Sequence, residues 1–199
     1  MSVNSAAKET RPSRLFFLKQ YLRKPFGIGA VAPSSHKLAR LMVENIDLQP
    51  SDVVVELGPG TGVFTRELIA QGVAPANLIL VETNLQFVMF LKKEFPGVRV
   101  VAGDARELPR ILKSLGLGHV EKIVSGIPMR TIKPVDRKLI AKAIAASLKS
   151  GGVLVQFSYF TAPPFPKSVV AEAGLVGHRV GVAMGNMPPA FVWRYGKAG

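Results

Sequence analysis

The chain has 199 residues, 48% of them hydrophobic and 20% charged, which suits one well-cored domain and is too apolar for a disordered chain. With no cysteine, disulfides, thiolate-held zinc, iron–sulfur clusters and cysteine nucleophiles are excluded, and a reducing, cytoplasmic setting is expected. Lys and Arg number 26 against 13 acids, and residues 1–40 alone hold eight bases against Glu9, so the front of the chain predicts a polyanionic partner, either nucleic acid or an anionic membrane face.

Residues 1–14 lack the apolar core of a secretory signal, and no run reaches the roughly 18 apolar residues a spanning helix needs. Arg14–Lys24 reads as an amphipathic helix, with Leu15, Leu18, Tyr21 and Leu22 on one side and Lys19, Arg23 and Lys24 opposite, ended by Pro25. A turn-rich stretch to Pro33 follows, and Ser34–Ser35 can cap a second helix through Asn45. From residue 51 apolar runs alternate with helical stretches, the pattern of a parallel sheet flanked by helices. Strands are predicted at 53–57, 78–81, 98–102, 122–125 and 152–158. Helices fall at 63–71, 84–94, up to about 114, and 134–148. After a proline-rich loop at 163–166 come a short helix near Val169 and two closing strands, at 179–183 and 190–195. An α/β, Rossmann-like, seven-stranded and mostly parallel sheet with helices on both faces is expected. The chain divides into a basic N-terminal segment, 1–50, and a sheet domain, 51–199.

The sharpest local signal is Val55-Glu-Leu-Gly-Pro-Gly-Thr-Gly62, an apolar strand running into glycines at alternate positions and then into a helix. Glycines let backbone approach a ligand, and a helix start offers unpaired N–H groups to an anion. The spacing is not that of nicotinamide enzymes, and no Gly-Lys-Ser/Thr follows to hold a triphosphate. It resembles motif I of class I S-adenosylmethionine-dependent methyltransferases. That resemblance implies that Gly58, Gly60 and Gly62 cradle the methionine carboxylate and that Glu56 steadies the loop near the methionyl amine. It further implies that Glu82 accepts from the ribose hydroxyls, Asp104 accepts from the adenine amine, and Ala105 contacts the ring.

The fourth strand runs into Ser125-Gly-Ile-Pro-Met129. Aligned on the proline, it is similar to the Asn-Leu-Pro-Tyr motif of rRNA adenine dimethyltransferases, but Gly126 stands for the asparagine and Met129 for the aromatic. An adenine acceptor needs a hydrogen-bonding side chain and an aromatic face at those places. Nearly the whole chain resembles a narrower family, the bacterial PmtA-type phospholipid N-methyltransferases. The resemblance is carried by Gly29-Ala-Val-Ala-Pro-Ser-Ser35, the glycine motif, Ser125-Gly-Ile-Pro128, Val155-Gln-Phe-Ser-Tyr159 and Asn186-Met-Pro-Pro-Ala-Phe-Val-Trp193. It implies methylation of phosphatidylethanolamine toward phosphatidylcholine by a peripheral enzyme on the inner face of the membrane. Lys19, Arg23 and Lys24 would then meet anionic phospholipid and the basic segment would cover the site. Gly126 and Pro128 would line the acceptor side, and Tyr159 with the Ser125 carbonyl would orient the amine. Nucleic acid is not expected as the partner.

His36, His119 and His178 are scattered, with no helical pair or flanking acids, so no metal site is expected. Trp193 reads as packing in the last strand. Two other readings stay open: an rRNA adenine N6-dimethyltransferase, against which stands the absence of a helical RNA domain after Tyr195, and a cofactor-binding membrane-surface protein without catalysis.

Overall fold

The computed structural model describes residues 36–184 and 188–197; the Arg14–Lys24 helix, with Lys19, Arg23 and Lys24, and the Ser34–Ser35 cap lie outside them. Helix α1, His36–Glu44, opens the described chain and buries Leu38, Ala39, Met42 and Val43 against the sheet. Although α1 precedes the division drawn at residue 50, it is part of the same core as the strands. The chain then alternates strand and helix: β1 Val54–Leu57, α2 Val63–Ala70, β2 Leu78–Glu82, α3 Leu85–Glu94, β3 Arg99–Ala102, α4 Leu108–Ser114, β4 Val120–Ser125, α5 Pro134–Ser147 and β5 Leu148–Ser158. It closes with α6 Lys167–Glu172 and the antiparallel pair β6 Leu175–Ala183 and β7 Ala190–Lys197.

The sheet order is β3-β2-β1-β4-β5-β7-β6, parallel from β3 through β5, with β7 antiparallel to both of its neighbours. Side chains alternate across a strand, and here both faces are covered. Val54, Leu78, Leu80, Val124, Val155 and Phe157 pack toward α1, α2 and α3, while Val55, Ile79, Ile123 and Leu154 pack toward α4 and α5. That double burial explains why β1 and β2 read as unbroken apolar runs rather than alternating ones. The fold is the Rossmann-like, mostly parallel seven-stranded sheet anticipated from the strand–helix rhythm.

The strand order reverses between β1 and β4, which leaves a crevice over the carboxyl ends of the strands. Four backbone bonds tie that edge together: Gly58 N–H to the Val81 carbonyl at 2.9 Å, Gly103 to Glu82 at 3.0 Å, Gly126 to Leu57 at 2.8 Å, and Gly62 to Pro59 at 2.8 Å. Each continues a ladder one residue past its strand or closes the glycine turn, so the rim of the crevice is as fixed as the sheet beneath it.

A candidate cofactor site at the strand ends

The glycine loop after β1 adopts left-handed backbone at Gly58, Gly60 and Gly62, with φ of 67°, 54° and 76°. An L side chain is strained in that region. Gly62 has a further reason to be glycine: a β-carbon there would stand 2.5 Å from the Phe95 ring, so this position lets α3 close against the loop. Arg66 reinforces the same junction, donating to the Thr61 and Gly62 carbonyls at 3.0 and 3.2 Å and to Glu94 at 3.1 Å. Sequence reasoning missed Arg66, whose signal is only its place one turn into α2.

Glu56 shares the Val54 face of β1 and therefore points beneath α2, where the Thr65 hydroxyl donates to it at 2.6 Å. It is wholly buried, and its second oxygen, Oε1, has no partner. Burial, above all, pushes its carboxyl up to about 8, and the charge of Glu82 adds to the effect. Its place is thus structural support beneath the glycine loop, with one oxygen left without a partner.

Glu82 closes β2 and is 8% exposed. It accepts from the Gly60 N–H at 3.2 Å and from the Asn84 N–H at 2.9 Å, so one carboxylate bridges the glycine loop and the start of α3. Asp104 follows β3 and caps the short turn Ala105–Glu107 through the Arg106 N–H at 2.8 Å. The Arg106 guanidinium also binds both Asp104 oxygens, at 3.0 and 2.7 Å, and reaches Asp136 on α5 at 2.7 Å. That hydrogen bonding holds the Asp104 carboxyl below its ordinary range. Arg106 and Asp136 were not foreseen as site residues; their link spans two elements and leaves no local trace in the sequence.

These groups enclose a cavity of about 180 Å³. Gly58, Glu82, Asp104 and Ala105 form one side of its lining, and Ile127, Ile132 and Ile140 form an apolar side. The structure thus brings Gly58, Glu82, Asp104 and Ala105 to one cavity, with Gly60 bonded to Glu82 at its edge and Glu56 buried beneath the loop. A strand-end carboxylate, a second carboxylate at the rim and an apolar slot together fit a nucleoside. The isoleucines of the slot were not anticipated, since all three come from beyond the fourth strand.

On the acceptor side, Ser125 is fully buried and in register with Gln156 of β5. Gln156, a polar residue within the buried run 153–157 of β5, donates to the Ile127 carbonyl at 2.8 Å and fixes the loop that carries Gly126 and Pro128. A β-carbon on Gly126 would lie 2.7 Å from the Gly58 carbonyl oxygen. Met129 turns into the core beneath α5 and is 1% exposed. Tyr159, one residue past β5, packs edge-on against Phe157 at 5.3 Å on the α1–α3 side, whereas the Ser125 side chain has the parity of Ile123 and faces the α4–α5 side. Among the described residues no cluster of ligating side chains could hold a metal ion, and no helix is long and apolar enough to cross a membrane.

A family model described as ribosomal RNA adenine dimethylase matches residues 34–108, which includes β1 to β3 and stops before β4. An ornithine lipid N-methyltransferase from Singulisphaera acidiphila is 32% identical over 146 residues, 71% of this chain and 76% of that protein. A ribosomal RNA small subunit methyltransferase A from Malacoplasma penetrans is 27% identical over 61% of this chain, which spans only 41% of that relative. In structure, the S-adenosylmethionine-bound amino pentose methyltransferase of calicheamicin biosynthesis from Micromonospora echinaspora shares the fold, with a TM-score of 0.66 at 14% identity, covering 96% of this chain and 100% of that one. With its glycine loop, its strand-end carboxylates and this kinship, the chain belongs to the S-adenosylmethionine-dependent methyltransferases, in the family that includes the ornithine lipid N-methyltransferase of Singulisphaera acidiphila.

Proposed function

We propose that the protein methylates the primary amine of phosphatidylethanolamine, and then its mono- and dimethyl forms, toward phosphatidylcholine at the membrane surface. The observation that carries this reading is the acceptor loop. Gly126 has no room for the hydrogen-bonding side chain that an adenine acceptor requires, and Met129 is a core residue rather than an exposed stacking face. The ribosomal RNA adenine dimethylase model matches residues 34–108, ahead of that loop, and the ribosomal RNA methyltransferase of Malacoplasma penetrans aligns over 61% of the chain. The match to a lipid N-methyltransferase extends over 71% of the chain.

When bound, S-adenosylmethionine supplies a methyl group on a sulfonium. Gly58 and Gly60 present backbone to its methionyl end, Glu82 accepts from the ribose, and the isoleucine slot receives the adenine, with Asp104 held at its edge by Arg106. The chain's remaining task is to offer a neutral amine in line with that methyl. Desolvation beside the bound cofactor disfavours the ammonium form, and Tyr159 with the Ser125 carbonyl orients the lone pair. Tyr159→Phe keeps the ring contact with Phe157 and removes only the hydroxyl, so it isolates this role. Turnover is expected to fall about tenfold with cofactor affinity unchanged; equal turnover removes Tyr159 from the mechanism.

On this reading Lys19, Arg23 and Lys24 attach the protein to anionic phospholipid on the inner face of the membrane. Replacing all three by glutamate is expected to abolish flotation with anionic vesicles, and unchanged flotation would refute the attachment. The substrate itself is tested by mass spectrometry of phosphatidylethanolamine vesicles incubated with the protein and S-adenosylmethionine. Species carrying one to three added methyl groups are expected, and unaltered lipid in the presence of cofactor-saturated protein would overturn the proposal.

A further inference from the structure

We propose that Arg130 and Arg137, on the lip between β4 and α5, form a clamp for the anionic oxygens of the acceptor headgroup, the phosphodiester of an aminophospholipid. The inference rests on the lipid reading above and names the part of the substrate that the cofactor cavity leaves unbound.

Arg130 sits in the short turn Met129–Thr131. That turn lies between Ile127 and Ile132, two residues of the cavity's apolar wall, and Arg130 is exposed. The Arg130 guanidinium is 5.8 Å from the centre of the Phe160 ring, and Phe160, just past β5, is 53% exposed. An arginine stacked on an exposed aromatic, with no carboxylate on it, is oriented but not neutralised.

Arg137 lies in the first turn of α5 and donates one Nη to the Ile132 carbonyl at 3.2 Å. Its Nε is buried and has no acceptor. A buried guanidinium nitrogen without a partner is costly, because its lost hydration is not replaced. Burial, with the like charge of Arg130, lowers the Arg137 pKa from its ordinary value, which places the two guanidiniums within each other's field.

The acids that could neutralise them are committed elsewhere. Asp136 binds Arg106 at 2.7 Å, and Glu172 is shared by Lys138 and Lys142 at 2.7 and 3.9 Å. Among the described residues neither Arg130 nor Arg137 has an ion-pair partner, and the exposed Lys133 between them adds a third base. Two repelling forks beside a cavity mouth are relieved by one anion between them, and guanidiniums bind a phosphate's paired oxygens in bidentate fashion. In phosphatidylethanolamine the phosphodiester is two carbons from the amine, so clamping it at the lip holds the amine close to the cavity. An RNA phosphate offers the same oxygens, but the acceptor loop lacks the groups a base requires, which favours the lipid.

The test measures methylation of phosphatidylethanolamine in mixed detergent micelles by the full chain, with Arg130→Gln and Arg137→Lys variants. Glycerophosphoethanolamine, ethanolamine and inorganic phosphate serve as competitors. Each variant is expected to raise KM for the lipid at least about fivefold while leaving S-adenosylmethionine affinity unchanged. Glycerophosphoethanolamine should inhibit the wild type at least about tenfold better than ethanolamine or inorganic phosphate, and that advantage should vanish in Arg130→Gln. Arg130 is exposed, so this variant stays informative even if Arg137→Lys folds poorly. Unchanged KM in Arg130→Gln, or an advantage of glycerophosphoethanolamine that survives it, overturns the clamp alone. A wild type that labels RNA but no lipid overturns the lipid reading and the clamp together.

Discussion

The two halves of the crevice are built on different rules. From β1 to β3 the rim is polar and internally saturated: Glu82 bonds Gly60 and Asn84, Asp104 is held by Arg106, and the glycine loop is pinned by backbone bonds and by Arg66. From β4 onward the rim is apolar and cationic, with Ile127, Ile132 and Ile140 facing the cavity and Arg130 and Arg137 uncompensated above it. The first half carries the match to the ribosomal RNA adenine dimethylase model; the second lacks, at Gly126 and Met129, the groups an adenine acceptor requires.

The comparison breaks most visibly at Gly126, where the halves touch. Gly126→Asn restores the residue type of the RNA enzymes, but its β-carbon would meet the Gly58 carbonyl. It is expected to destabilise the protein by about 1–3 kcal/mol and to abolish methylation, as read by thermal unfolding and turnover. A stable variant that methylates adenine would show that the acceptor half is only a variant of the RNA site.

Glu82→Ala comes next and acts on the cofactor half alone. Losing a charged acceptor costs about 1.5–3 kcal/mol, or roughly ten- to hundredfold in S-adenosylmethionine affinity by calorimetry, with vesicle binding untouched. Unaltered affinity would mean the carboxylate serves only the loop.

A smaller effect is expected from pH. Glu56 holds its proton to about 8 in the folded protein, against an ordinary 4.5. Between those values the folded state binds the extra proton, so stability should fall as pH rises through that window, by at most about 1.4 kcal/mol per pH unit. Glu56→Gln should flatten that slope in denaturant unfolding at several pH values, and a slope that survives the substitution would assign it to another group.

The smallest effect belongs to the exposed pair Glu107–Arg110, on the outside of both halves. Arg110→Ala should change the unfolding free energy by less than about 0.5 kcal/mol; a larger loss would give that surface a role the geometry does not show.

The same contrast governs what was legible before the fold was known. Strands buried on both faces announced themselves as apolar runs, and Glu82 and Asp104 stood out because they end such runs at the edge where ligands bind. The edge strands were harder. β5 starts at Leu148 rather than 152 because it pairs with Val120 ahead of an irregularity in the ladder, and β6 starts at Leu175 although Val176 through Arg179 are exposed. Contacts between distant elements left no local pattern: Arg106 with Asp136, Gln156 with the Ile127 carbonyl, and Phe95 filling the space over Gly62. Gln156 alone carried a usable signal, a polar side chain within a buried strand.

The central claim is that the acceptor half takes a lipid amine. The most direct measurement offers the full chain labelled S-adenosylmethionine with phosphatidylethanolamine vesicles and ribosomal RNA in the same reaction, then separates and counts each. The account predicts label in the lipid and none in the RNA; label in the RNA with none in the lipid would contradict it.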